Sequence, residues 1–439
     1  MTAELILRGG SIVQNGELCK RSVVVDKGKI EGIYEVGQEP AAETDIDCTG
    51  LYILPGMIDI HTHLRDLKQS NKEDYRSGTM AAAAGGVTTV VDMPNSQPPV
   101  LSHNVLQQKI ERARENSFVN IGFYGGIPKS AKAPNEKFFN DILGLKVYPH
   151  APLDKDIQYT KERIRECLNL ARRWDLPLLL HPDFSDPDAR PETVQDFFEI
   201  HSCEAERRAV VTFIDALKEI ESRVHVCHVS CAFTAKLIKK HRAENTLTAE
   251  VTPHHLLLTG DKFTNKNGEA KVLPPLRSPH DRRFLQESVS HCVIDCVASD
   301  HAPHTKKEKH APFLHASSGF PGLETTVPLM LTRVLKGEMH WVEYLRCCCS
   351  APARILNIPG KGILCKGYDA DLIVVKEDKY EIRGDKFHSK TTVTPFEGQE
   401  VLARPVMTFV GGRLVYRDGS FKVRPGTAGI VPVRNVIEH

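Results

Sequence analysis

Met57-Ile58-Asp59-Ile60-His61-Thr62-His63 is the stretch on which the fold turns. An almost continuous apolar run reads as a strand covered on both faces, as in a parallel sheet, rather than one with a wet face. It ends in two imidazoles on one side of the chain, because side chains two residues apart along a strand share a face. Working outward, similar runs recur at Val87–Met93, Val119–Tyr124, Leu143–Tyr148, Pro177–His181, Arg223–His228, Leu247–Val251 and Val293–Ser299. Between them lie helical stretches, among them Lys72–Gly85, Val105–Asn116, Lys161–Trp174, Glu204–Ile220 and Cys231–His241. Alternation of this kind argues for βα units around a parallel sheet. Eight such units predict an α/β chain with a (β/α)8 TIM-like barrel, whose functional face is the carboxyl end of the strands.

The flanks differ. Leu5–Gly10, Ser22–Gly28 and Lys29–Ile33 are short β-rich runs bounded by turn residues, and the style returns at Ala370–Val375, Val406–Gly412 and Leu414–Gly419. Neither set makes a sheet core alone, so the ends are expected to meet in one small β-sandwich. The expected division is 1–52 and 359–439 for the sandwich and 53–358 for the barrel. Pro182–Glu192 and His304–Gly319 read as long loops of the kind that form lids or binding loops.

Composition narrows the partners. Across 439 residues, 57 Lys and Arg face 56 Asp and Glu, a net charge of +1. That leaves no global field to attract nucleic acid or an anionic membrane. The N-terminal residues lack a basic, then apolar, secretory pattern. No apolar run reaches the length of a membrane span. The 12 cysteines include three in a row, Cys347-Cys348-Cys349, and show no CxxC metal spacing. Reduced thiols in a cytosolic protein are the expectation.

The functional signal is positional. The first predicted strand ends in His61 and His63, the fourth carries Lys146, the fifth ends at His181, the sixth at His228 and the eighth at Asp300. Each alone has a plainer explanation. With 20 histidines, one His-x-His is about what chance provides. His181 and His228 could be satisfied core histidines, Asp300 a turn or cap residue, and Lys146 a snorkelling strand-end lysine. Five coincidences on one predicted face are not plausible, because polar groups after apolar strands are costly unless partnered. Together they read as a metal site. An ammonium repels cations, but a desolvated neutral amine reacts with carbon dioxide to give a carbamate whose two oxygens can bridge two metals.

Pro55–Asp66 resembles the entry motif of the amidohydrolase superfamily in its dihydroorotase form. Asp92–Ser96, Gly144–Tyr148, His181-Pro182, Cys227–Ser230, Glu250–His255, Ala298–His304, Gly319–Thr325 and Thr394–Gly398 resemble it in order, most closely the long type I branch. The resemblance spans essentially the whole chain and implies a reversible cyclisation of N-carbamoyl-L-aspartate to dihydroorotate. It implies one metal on His61, His63, carboxylated Lys146 and Asp300, and a second on the same lysine with His181 and His228. Two divalent ions, zinc foremost, would then share a hydroxide, with Asp300 as the proton acceptor.

Substrate recognition is carried over to Arg65, Asn95 and His304 around the substrate carboxylate, and to the backbone near Ser318 and Gly319. Arg65 is the main discriminator, since hydantoinase and allantoinase substrates lack that carboxylate. The resemblance further implies a homodimer, and in inactive relatives a scaffold for aspartate carbamoyltransferase. Leu273 departs from the pattern, standing where Asn or Arg is usual and unable to hydrogen-bond a substrate. The Pro149–Leu153 loop could cover the site. Cys227 and Glu250 could form an additional metal position, although a buried structural cysteine and a carboxylate behind the ligands are the preferred reading.

Overall fold

In the computed structural model, which describes residues 2–129, 136–242, 247–262 and 268–431, the eight apolar runs become eight parallel strands. They are β1 (Met57–Thr62), β2 (Val87–Asp92), β3 (Asn120–Gly126), β4 (Gly144–Val147), β5 (Leu178–Leu180), β6 (Val224–Val226), β7 (Leu247–Val251) and β8 (Cys296–Val297). They pair in chain order. The seam between the last and first strands is bridged where Thr62 pairs with His301 and the His63 N–H donates to the His301 carbonyl at 2.7 Å. Asp59 laces the same seam from inside the barrel. Its carboxylate accepts from the backbone N–H groups of His61 and Ser299, each at 3.1 Å. Burial pushes its pKa up to about 6.

Helix starts follow from local caps. Asp74 caps the helix Tyr75–Ala84 in a reciprocal box with Ser77, so Lys72 lies outside the helix expected to begin there. Ser102 caps His103–Asn116 and Ser202 caps Cys203–Leu217, moving both starts upstream of the expected residues. The eighth strand is much shorter than Val293–Ser299. Val293 and Ile294 both turn back to the Ser288 carbonyl, so the chain joins the sheet only at Cys296. The loop expected at 304–319 carries a short helix, Lys306–Lys309, capped by Thr305.

Among the described residues, the two ends of the chain build one nine-stranded sheet. Its N-terminal half comprises Ala3–Gln14, Glu17–Asp26, Lys29–Tyr34, Ala42–Asp47 and Tyr52–Pro55; its C-terminal half comprises Leu372–Glu381, Glu400–Val410, Arg413–Arg417 and Ser420–Phe421. The halves join where Tyr52–Pro55 runs antiparallel to Leu372–Val375. Asn15-Gly16 and Lys27-Gly28 both adopt positive φ, the two-residue hairpin geometry that matches strand twist. Alternation along Leu372–Val375 divides the sheet between two cores. Leu372 and Val374 pack with Leu7, Val23 and Phe409, while Ile373 and Val375 join the core around the barrel.

The cysteines bring one correction. Cys347, Cys348 and Cys349 are buried free thiols on a π-helical turn, as the reading of reduced thiols requires. Cys203 and Cys231, however, form a disulfide. Cys203 opens one barrel helix and Cys231 sits at the N-cap of the next, so adjacent βα units place the two together. A separation of 28 residues carries no sign of that pairing.

Candidate metal centre

The carboxyl ends of the strands open into one cavity of about 300 Å³. His61 and His63 enter it from the end of β1. The His61 Nδ1 side contacts the Glu250 carboxylate, and His63 Nδ1 pairs with Asn95 Oδ1 at 2.7 Å. These partners leave both Nε2 atoms facing Asp300 Oδ1, at 3.4 Å from His61 and 3.1 Å from His63. One ligand atom from each of the three residues lies within 4.8 Å of the others. On the opposite side, His181 Nδ1 from the end of β5 stands 2.9 Å from His228 Nε2 beyond β6. Lys146, on β4 and 1% exposed, reaches in between; its charge acts on His61, His181 and His228. Its Nζ lies 2.7 Å from Cys227 Sγ and 5.1 Å from the centre of the Tyr148 ring.

Backbone conformation adds a second signature. Arg65, His228 and Asp300 all hold positive φ, at 58°, 32° and 48°. For residues with a Cβ this is an unfavourable region that persists only where surrounding structure enforces it. Three of the eleven residues predicted to do chemistry or bind substrate are held this way, each just past a strand end.

Four of the donors, His63, His181, His228 and Asp300, are in the forms a cation requires. Burial keeps His181 and His228 well below the usual histidine range, so both are neutral near pH 7. Burial also lowers His63 to about 4, against the raising effect of its hydrogen bond to Asp300. For Asp300, burial disfavours the charge, but His61 and His63 outweigh it and hold the carboxylate ionised. At His61, burial is overcome by Glu250, and the imidazole is pushed up to about 10 in the absence of a cation. Three neutral imidazoles and a carboxylate beside a buried amine make a donor set that fits divalent ions of the zinc type. Glu250 stands behind His61, holds His225 Nε2 at 3.0 Å and accepts the His228 N–H at 3.1 Å. That is how a carboxylate orients ligand imidazoles. Ligand atoms of His61, Cys227 and Glu250 also fall within 4.8 Å of one another.

The residues expected to meet substrate line the same cavity: Arg65, Asn95, His304, Ser318 and Gly319. Arg65 is buried, with its Nε donating to the Pro303 carbonyl at 3.3 Å and its Nη2 3.1 Å from His304 Nε2. His304 receives Lys72 Nζ at Nδ1 (3.2 Å) and turns Nε2 to the Ser318 carbonyl (3.0 Å). Burial, with Arg65 and Lys72 nearby, pushes its pKa down to about 2. Gly319 holds φ 117°, and a Cβ there would stand 2.7 Å from both the Cβ and the carbonyl oxygen of Ala302, so the residue must be glycine. Leu273, Val272 and Leu153 make an apolar wall where the expected hydrogen-bonding side chain is missing.

Some of the site was not anticipated. Tyr148 lines the cavity beside Lys146, on the same face two residues along β4's direction, a spacing that could have revealed it. His150, Ala151 and Leu153 line it as well, so the Pro149–Leu153 segment does border the site. The C-terminal segment also supports it: Thr391 Oγ1 donates to the His304 carbonyl at 2.8 Å. No pattern in the sequence links residues so far apart.

The sequence pattern of the amidohydrolase family matches residues 52–415. Dihydroorotase from Methanosarcina acetivorans is 31% identical over 444 aligned positions, covering 96% of this chain and 94% of that protein. Dihydroorotase from Methanothermobacter thermautotrophicus is 34% identical, with 95% of each chain covered. Among solved structures, the L-hydantoinase of Arthrobacter aurescens superposes with a TM-score of 0.89 over 98% of this chain and all of that one, at 24% identity. The dihydropyrimidinase of Brevibacillus agri gives 0.84 at 24% identity, covering 98% of each. These likenesses concern the fold; sequence kinship lies with the dihydroorotases. On this evidence the chain belongs to the amidohydrolase family, in its dihydroorotase branch.

Proposed function

We propose that this enzyme is a dihydroorotase, interconverting N-carbamoyl-L-aspartate and dihydroorotate by opening or closing a cyclic amide. The observation that carries the reading is the arrangement of one cavity. Nitrogen and oxygen donors converge from His61, His63, Asp300, His181 and His228 around Lys146, and a buried guanidinium, Arg65, faces the same space. The names of the sequence relatives point the same way.

In this reading His61, His63 and Asp300 would hold one divalent ion, His181 and His228 would hold a second, and Lys146, once carboxylated, would serve as a further ligand. Zinc is the expected metal. When bound, the pair supplies Lewis acidity and an ionised water at neutral pH. The chain supplies the rest. Arg65 offers paired charge-assisted hydrogen bonds to the substrate carboxylate, with Asn95 and His304 beside it. The backbone of Ser318 and Gly319 borders the ring. Asp300, held ionised by its imidazole neighbours, takes the proton of the attacking water and returns it to the departing amide nitrogen. The Pro149–Leu153 segment and the Leu153–Val272–Leu273 wall limit water at the ring.

A division into barrel (53–358) and sandwich (1–52 and 359–439), a cytosolic location and a homodimer belong to the same proposal. One preparation tests the core of it: metal analysis, together with assays on dihydroorotate and hydantoin. Two divalent ions per chain and turnover of dihydroorotate are expected. Turnover of hydantoin with none of dihydroorotate would reassign the protein to the hydantoinases, whose fold it shares. A metal-free protein that binds aspartate carbamoyltransferase would make it a scaffold.

A further inference from the structure

Beside the predicted metal pair lies a second group of donors, of which the mechanism uses only His181. His181 presents one ring nitrogen, Nδ1, to His228. Its other nitrogen, Nε2, is buried and has no hydrogen-bond partner, and the residue is only 5% exposed. His150 Nδ1, on the loop after Lys146, is likewise buried without a partner. The two rings pack against each other at a tilt of 34°, with centroids 4.6 Å apart. A nitrogen from each and a carboxylate oxygen of Asp183 fall within 4.8 Å of one another. The Asp183 carboxylate is held in place: Oδ2 receives His201 Nδ1 at 2.6 Å and Oδ1 receives the Ser185 N–H at 2.8 Å. A buried polar atom left unpaired is costly, so two in one small space need a reason.

We propose that His150, His181 and Asp183 form a further divalent-cation site, sharing His181 with the predicted pair and reached through the mouth of the same cavity. Two imidazoles and one carboxylate suit Zn2+, Co2+ or Ni2+ better than Mg2+ or Ca2+. His201 takes the part of the supporting group that fixes the carboxylate ligand. The site holds its ion more weakly than the pair, with three protein donors and one side open to solvent. Its occupancy is inhibitory. The ion takes His181 Nε2, on the side away from His228, and displaces its proton to solvent so that the ring bridges as an imidazolate; it stands where His150 borders the substrate cavity. The inhibitory role rests on the reading of His181 as a ligand of the pair; the occupancy does not.

The test is equilibrium dialysis of metal-stripped protein against rising Zn2+, and separately Co2+, with ions counted per chain and dihydroorotate turnover followed in parallel. Wild-type protein is expected to take up two ions tightly and another at higher concentration, with activity falling as the last one binds. His150→Gln is expected to keep the first two and to bind the last roughly 100-fold more weakly, with inhibition shifted by the same factor. Asp183→Asn serves as the second variant should His150→Gln fold poorly. The proposal is overturned if both variants take up the last ion with wild-type affinity, or if wild-type protein never binds it. It is equally overturned if that ion survives in both variants and disappears in Cys227→Ser, which would place it on His61, Cys227 and Glu250. Failure to bind the first two ions would count against the assigned pair alone, because the weaker ion is still judged by its dependence on His150.

Discussion

Replacing Arg65 by glutamine separates recognition of the substrate carboxylate from the chemistry beside it. The guanidinium spends Nε on the Pro303 carbonyl and packs Nη2 against His304, leaving Nη1 and one face of the fork for a ligand. Hydrogen bonds to charged groups contribute about 1.5–3 kcal/mol each. Two such bonds in a cavity partly open to water therefore amount to about 3–4 kcal/mol, or roughly 100- to 1,000-fold in kcat/KM. The loss should appear mainly in KM, since the carboxylate is held alike in ground state and transition state. Glutamine keeps the positive-φ backbone as it is and removes a buried charge, so the fold should survive. The assay is steady-state kinetics on dihydroorotate, with metal content and urea unfolding as controls and dihydrouracil as the uncharged ring. A kcat/KM within about threefold of wild type would refute carboxylate binding by Arg65. So would an equal loss on dihydrouracil.

Other consequences follow from neighbouring contacts. Glu250→Gln removes the charge behind His61 and should weaken the ion on His61, His63 and Asp300 by about 10- to 100-fold in a chelator competition; unchanged retention would show that Glu250 does not orient the ligand. Leu273→Asn puts an amide into the apolar wall and should lower KM for dihydroorotate by about threefold to tenfold, an effect of about 1 kcal/mol; a raised KM would mean that the wall favours binding as it stands. Lys309, whose Nζ donates to the carbonyls of Lys271 and Ser317, is pushed down to about 7 by burial. The unfolded chain, with a lysine pKa of about 10.4, holds more protons than the folded one between these values. Stability from this group is therefore fully present above about pH 10 and is lost as pH falls to about 7, with a slope of up to about 1.4 kcal/mol per pH unit. Urea unfolding at pH 7, 8 and 9 should show that slope in the wild type and a flatter one in Lys309→Met; parallel curves would disprove the link.

The barrel was legible because burial on two faces leaves a local mark. Runs such as Val87–Asp92 and Leu247–Val251 are dominated by apolar and β-branched residues, and each is wholly or almost wholly buried. Helix boundaries were less legible, since one capping side chain, Asp74 or Ser202, outweighs the apolar pattern downstream. The eighth strand was legible but its shortness was not, because that depends on a turn closed at Ser288. Among the site residues, Asn95 was expected to face substrate, and it does line the cavity. Its Oδ1 also fixes His63, a partnership set by the spacing of β1 and β2 rather than by any motif.

What the sequence determined by itself was the kind of machine: eight covered strands, with polar groups placed at or near the ends of five of them. Periodicity and strand-end chemistry are local, and they survive in a linear text. Which nitrogen of His61 faces Asp300, which carboxylate stands behind it, that Cys203 meets Cys231, and that His150 lies against His181 were decided only by the closed barrel. Contacts of a few ångströms between residues distant along the chain are products of strand tilt, register and packing. They are properties of the assembled structure, with no local cause for a sequence to record.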